Sequence, residues 1–323
     1  MLTRIGARAH RWAAATDPFT NVHGFARTLI ASATALTLLF NDTSTLFRPG
    51  VGVEDVPICA GVRAAGAFCI GAPHLDVVRW LSIAALLVVA SGWRPRWTGL
   101  VHAWVAYSVQ ANALAIDGGD QIASILALLL VPVTLADDRR WHWLPRTATP
   151  TSARELEKRL VARMFFALIR LQVAGIYFHA AVAKFAVPEW ADGTVLYYWL
   201  NHPTFAAPAW MMPLLGPLLR NGTTVALATW GVLAVEYALS AGLFAARKHW
   251  RTLLLLGIGL HAGIAVLHGL TTFALTMFGA LVLYLRPLEE TFSEPATVAR
   301  ARATLADALS RRLIARATRA TQT

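Results

Sequence analysis

RMFFALIRLQVAGIYFHAAVAKF, residues 163–185, is an apolar run of the length that crosses a bilayer as one helix, and it carries Arg170, Tyr177, His179 and Lys184 inside it. Blocks of about 20 apolar residues match a hydrocarbon core about 30 Å thick. Similar blocks recur near 25–41, 75–93, 98–116, 121–136, 223–245, 251–269 and 271–286. The expected fold is therefore all-α: a polytopic transmembrane helical bundle of about eight spans. Composition agrees. Hydrophobic residues make up 56% of the 323-residue chain and charged residues 15%, against about 25% charged in a soluble domain. The mean hydropathy is +0.51.

A net charge of +11 would suggest nucleic acid in a soluble protein. Here the basic residues sort by loop. One set of ends holds Arg4, Arg8 and Arg11, then Arg94 and Arg96, then seven cations from Arg139 to Arg163, then Arg247, Lys248 and Arg251, and an arginine-rich tail. The alternate loops hold Arg48, Arg63 and Arg220. Cytoplasmic loops collect Lys and Arg, so both termini are expected inside, and no nucleic-acid motif is present. The domain reading is a cytoplasmic segment over 1–24, a membrane domain over 25–286 with outer loops 42–74 and 186–222, and a basic amphipathic cytoplasmic tail over 287–323. The tail repeats Leu305, Leu309 and Leu313 among arginines, a pattern that suits a membrane surface or a partner helix. The first apolar run begins near Thr28 without a small-residue cleavage site after it, so no cleavable leader is expected. No phosphate loop, His-x3-His pair or nucleophile elbow appears.

Ionisable groups inside spans are costly and are candidates for function. Arg170, Tyr177 and Lys184 recur every seven residues and share one helix face, while His179 points about 200° from Tyr177. Glu236 lies in the sixth span; His261 and His268 share a face of the seventh. Counted at 1.5 Å per residue from the span ends, Arg170 and Glu236 fall at one depth, and a structural ion pair between them is expected. Lys184, His268 and Asp120 fall at the outer level, where, with Tyr177, they are expected to line one cavity. A desolvated Lys184 would serve as a base; a lysine snorkelling to headgroups or bridging Asp120 is the competing reading. For His261 a helix-packing hydrogen bond is favoured over function, and Asp117 and Asp120 in the Asp117-Gly118-Gly119-Asp120-Gln121 turn read as turn and helix-cap residues before catalysts. Cys59 and Cys69, on the side assigned outside, are expected to form a disulfide, with a structural role favoured over a redox one because the spacing is not C-x-x-C.

The stretch Tyr177-Phe178-His179-Ala180-Ala181-Val182-Ala183-Lys184-Phe185, followed by Glu189-Trp190 and Gly193, resembles the signature of the membrane domain shared by vitamin K-dependent gamma-carboxylases and their bacterial relatives, the HTTM superfamily. Pro18 to Arg27, the Gly118-Gly119-Asp120-Gln121 turn, Glu236 after Thr229-Trp230-Gly231, and His261 with Gly269-Leu270 and Phe273 resemble the sporulation-delaying protein B group more closely. The resemblance runs from about Asp17 to Pro287. It implies that Lys184 stands where the carboxylase lysine deprotonates reduced vitamin K. It also implies a multi-pass protein of the bacterial cell membrane, acting with a small partner of the sporulation-delaying protein A type on a small secreted precursor peptide to yield an antimicrobial toxin. The chain lacks the large lumenal domain of the carboxylases, and the turn where their second catalytic histidine is sought reads Gly-Gly-Asp-Gln. These departures count against glutamate carboxylation and vitamin K. Three functions are thus expected to compete: toxin production, maturation or export; a membrane enzyme using a lipid-soluble quinone with Lys184 as base; and a non-catalytic scaffold or receptor.

Overall fold

The computed structural model describes residues 2–53, 55–144, 146 and 152–292. The repeating leucines expected to build an amphipathic tail, from Leu305 onward, lie outside the described residues.

In chain order the helices are α1 (Leu2–Ala15), α2 (Asn21–Phe40), α3 (Thr43–Leu46), α4 (Ala67–Ile70), α5 (Leu75–Ser91), α6 (Pro95–Asn112) and α7 (Gly118–Ala136). They continue with α8 (Ala153–Lys184), α9 (Pro188–Ala191), α10 (Val195–Leu200), α11 (Met212–Leu219), α12 (Gly222–Ala241), α13 (Trp250–His268) and α14 (Thr271–Leu285). Every one of the eight apolar blocks is a helix. Five helices are long and apolar enough to cross a membrane: α2, α7, α8, α12 and Arg247–His268, which contains α13. The helices at 75–91 and 95–112 fall outside that group, and α14 is a shorter apolar helix.

Local sequence sets the ends. Thr20 accepts the Val22 N–H, Ser152 the Glu155 N–H, and Asn221 the N–H groups of Thr223 and Thr224, so each of α2, α8 and α12 has one or two of its orphan donors capped. Asp117 and Asp120 form a reciprocal capping box on α7. Gly92 closes α5 at φ +87°, a conformation that costs an L-residue with a side chain.

Two large packed clusters form most of the interior, with a small third one between α6 and α7. One joins α2, α7, α8 and α14 around Ile30, Leu126, Phe166, Ile169, Met277 and Leu281. The other joins α2, α5 and α6 with the disulfide loop around Leu38, Phe68, Leu86 and Val109. α14 is buried from Met277 through Leu285 but for one residue, so its neighbours rather than lipid surround it, and its 15 residues need not match the bilayer. α2 and α14 approach closely: a Cβ on Gly279 would lie 2.7 Å from the Ile30 side chain and 2.9 Å from the Ala26 carbonyl. Small residues at such contacts let membrane helices approach.

The outward faces are apolar. Leu81 and Leu87 of α5, Trp97 and Trp104 of α6, Leu128 of α7, Leu168, Leu171 and Phe178 of α8, Leu227 of α12 and Leu255 of α13 are all exposed. Monomeric soluble proteins rarely leave contiguous apolar surface of this kind uncovered; lipid covers it without cost. The chain is an all-α helical membrane bundle. Cys59 and Cys69 are bridged, with Cα atoms 5.7 Å apart. Their loop is tied to α6 by the Asn112 amide, which donates to the Ile58 and Arg63 carbonyls at 3.0 and 2.9 Å.

Candidate functional site

The long α8 carries the site on the face turned to α12, α13 and α14. Its last residue, Lys184, places its amine 2.7 and 2.9 Å from the two carboxylate oxygens of Glu236 on α12. The amine also donates to the Ala180 carbonyl at 3.3 Å and lies 5.2 Å from the Trp190 ring centre. Two turns before it, the buried Tyr177 hydroxyl meets Nε2 of the buried His261 on α13 at 2.8 Å. Phe273 of α14 closes the far side of that imidazole, ring centres 5.4 Å apart. An ion pair and a hydroxyl–imidazole pair thus stand on one face of α8, seven residues apart.

This arrangement corrects the expected pairing of Arg170 with Glu236. Glu236 is taken by Lys184. Arg170 instead donates to the Tyr284 carbonyl and stacks 4.0 Å from the Trp250 ring centre. The depth estimate failed because it set the outer ends of α8 and α12 level. The segment after Lys184 folds along the first half of α12: Trp230 reaches the Ala191 carbonyl at 3.4 Å, and a Cβ on Gly193 would meet Ala226 at 3.0 Å. α12 therefore continues past the end of α8 by roughly 14 residues, about 21 Å, which brings Glu236 rather than a more external residue beside Lys184.

The expected cavity of Lys184, Asp120, His268 and Tyr177 does not form either. Asp120 is buried in its capping box, hydrogen-bonded to the Asp117 N–H. His268 donates from Nδ1 to the Phe205 carbonyl at 2.7 Å and packs its ring on Trp199, so it anchors the 186–222 segment. Of the four, Tyr177 and Lys184 share the α8 face, and their partners are His261 and Glu236. His179, on the opposite face, is exposed and lines a groove of about 720 Å³ between α7 and α8 with Gln121, Gln172 and leucines.

A second polar cluster escaped sequence reasoning. His23 and Arg27 of α2 and Asp137, Arg139 and His142 of the α7–α8 connection are buried together. Arg139 forks onto both Asp137 oxygens at 2.9 and 2.8 Å and onto the His142 and Leu144 carbonyls. Burial opposes ionisation of Asp137, but the hydrogen bonds from His23 and Arg139 outweigh it and hold the carboxyl below its ordinary range. Burial, reinforced by the charge of Arg27, holds the His142 imidazole down to about 2. The signal available was Arg27 inside an apolar block beside a loop that carries Asp137 and Arg139 as potential partners. The loop's charges read instead as solvated cytoplasmic charge.

The geometry agrees with what the chain resembles. A family model described as the HTTM domain matches residues 148–288, the stretch holding α8 through α14 and hence all four residues of the site. The chain is 39% identical over 294 residues to the uncharacterized protein YitO of Bacillus subtilis (strain 168), covering 90% of this chain and 93% of that protein. It is 37% identical over 277 residues to the sporulation-delaying protein SdpB of the same organism, covering 85% and 84%. No solved structure matches it. On the extent of these matches, the chain belongs to the SdpB-like family of HTTM-domain membrane proteins.

Proposed function

We propose that this chain is a multi-pass protein of a bacterial cell membrane, required for the production, maturation or export of a secreted antimicrobial peptide toxin. The observation that carries the reading is the 37% identity to sporulation-delaying protein SdpB across 85% of the chain. The loop charges support an orientation with both termini inside and the Cys59–Cys69 loop outside. The partners in this reading are membrane lipid, a small secreted precursor peptide and a small protein of the sporulation-delaying protein A type.

Within that role, Lys184, Glu236, Tyr177 and His261 are the working site. A proton can pass from the Lys184 ammonium to the Glu236 carboxylate across 2.7 Å, leaving a neutral amine as base and a neutral acid beside it. Tyr177 and His261 offer a second donor and acceptor two turns away, about 10 Å along α8. A groove of about 720 Å³ lies between α7 and α8, whereas the Lys184 amine is turned to Glu236 of α12.

Deletion of the gene in its own host tests the role. Mass spectrometry of the medium should show the mature peptide lost while its precursor is still transcribed; undiminished mature peptide refutes it. Complementation with Lys184→Arg tests the site. Arginine keeps the charge beside Glu236 but does not give up a proton, so peptide yield should fall about a hundredfold, the low end of general acid–base contributions, with the protein still in the membrane. Normal yield would make Lys184 a structural ion-pair partner.

A further inference from the structure

Roughly 21–31 Å back along α8 from Lys184, over the stretch from Arg170 to Arg163, α1, α8, α13 and α14 line a cavity of about 250 Å³. Arg163, Arg170, Arg247 and Arg286 all line it, against one lining carboxylate, Glu289. Glu289 is held by Arg247. Arg286 lies 3.9 Å from Glu290. Arg163 and Arg170 have no carboxylate within 4 Å among the described residues. Each is instead held by an aromatic wall of the cavity: the Arg163 guanidinium stands 5.4 Å from the Trp12 ring centre and Arg170 4.0 Å from Trp250. Arg163 spends hydrogen bonds on Thr16 and Arg170 on the Tyr284 carbonyl, while Nε of Arg163 has no partner.

We propose that this cavity binds a phosphate-bearing anion, held by Arg163 and Arg170. The tryptophans hold each guanidinium at the cavity wall, and the N–H groups not given to Thr16 or the Tyr284 carbonyl remain for an anion. Four arginines line the cavity against Glu289, which Arg247 already holds, so the half-buried site carries excess positive charge that a counter-anion would neutralise. The volume is below the 300–1,000 Å³ or so of pockets that swallow a whole small molecule; it suits a phosphate group. Basic pockets between membrane helices on the cytoplasmic side accept anionic lipid headgroups, and Met164 and Leu168, exposed on the same helix, offer a surface for acyl chains. A phospholipid headgroup and free phosphate share this chemistry.

The test uses the full chain purified in detergent, titrated with phosphatidylglycerol and phosphatidylcholine by native mass spectrometry and with inorganic phosphate by calorimetry. The expected result is phosphatidylglycerol bound about tenfold tighter than phosphatidylcholine. That preference should vanish in Arg163→Gln/Arg170→Gln and persist in the exposed control pair Arg48→Gln/Arg220→Gln. Binding of inorganic phosphate, lost in the same variant, without a lipid preference would assign the site to a soluble phosphate. A variant that retains the wild-type preference, or a wild type that distinguishes neither lipid nor binds phosphate, overturns the proposal. If the double variant does not elute as a folded protein, Arg163→Gln alone carries the test, and unchanged affinity overturns it.

Discussion

The amine of Lys184 lies within 2.9 Å of both carboxylate oxygens of Glu236, although Lys184 ends its helix and Glu236 sits 14 residues into α12. This contact joins the C-terminal end of α8 to the middle of α12 because the 186–222 segment folds along the first half of α12. It fixes the register of the two helices.

Breaking one side of the pair should be costly. Glu236→Gln leaves a half-buried ammonium without its anion and should destabilise the bundle by about 3 kcal/mol, the low end for buried pairs, since the Lys184 side chain keeps 22% of its surface exposed. Lys184→Met with Glu236→Leu removes both charges and should recover most of that loss. Unfolding in mixed micelles measures it; equal stability of Glu236→Gln and wild type would remove the register-fixing role.

The apolar blocks made the helices legible because spans depend on local length and composition alone, and the run at 163–185 needed no partner to be read as helix. Side-chain partners were not legible in the same way. Arg170 and Glu236 were matched by depth, and depth depends on where each helix starts relative to its neighbour, which the Ala191–Trp230 contact decides. His23 and Asp137 meet across 114 residues of sequence at 3.4 Å; nothing local to either position marks the other. Cys59 and Cys69 were readable as a pair because they are the chain's two cysteines and share one loop.

Tyr177 and His261 should be energetically coupled. Tyr177→Phe strips His261 of its one hydrogen bond in a buried site, where His261 Nδ1 already lacks a partner, and should cost about 1–3 kcal/mol. Once His261→Leu is in place, the same change should cost much less. A double-mutant cycle on unfolding free energies reads the coupling, expected above about 0.5 kcal/mol; strict additivity would show that the 2.8 Å contact carries no stability.

Cys59 and Cys69 should resist alkylation in intact cells until reductant is added, and Cys59→Ser should lower stability by about 2 kcal/mol, as expected for a short bridged loop. Labelling of both thiols without reductant would contradict the bridge. The proposed orientation has its own readout. Alkaline phosphatase fused after Thr323 should be inactive, and after residue 62 active; the reverse pattern inverts the topology.

Acid should weaken the cluster around His142, and the sign follows from burial. The imidazole is neutral in the folded protein, its proton affinity pushed down to about 2, whereas an unfolded histidine titrates near 6.5. Between these values the unfolded chain binds a proton that the folded chain refuses, so stability rises with pH below about 6.5 and levels off above it. Going from pH 7 to pH 5 should therefore cost about 2 kcal/mol through this group alone. Asp137 adds nothing in that window. Its carboxyl is held below the ordinary range, so its contribution is complete above about pH 4 and is lost only as pH falls further. The ring has little freedom to relieve the penalty by moving, because a Cβ on Gly92 would lie 2.3 Å from it and one on Gly24 2.8 Å. His142→Gln keeps a polar side chain of similar size and does not titrate. Its unfolding free energy in detergent should therefore be flatter than wild type from pH 7 to pH 5 by about that amount. Parallel wild-type and variant curves over this range would mean that His142 gains a proton in the folded state, which would break the neutral packing of His142 between α2 and the end of α5.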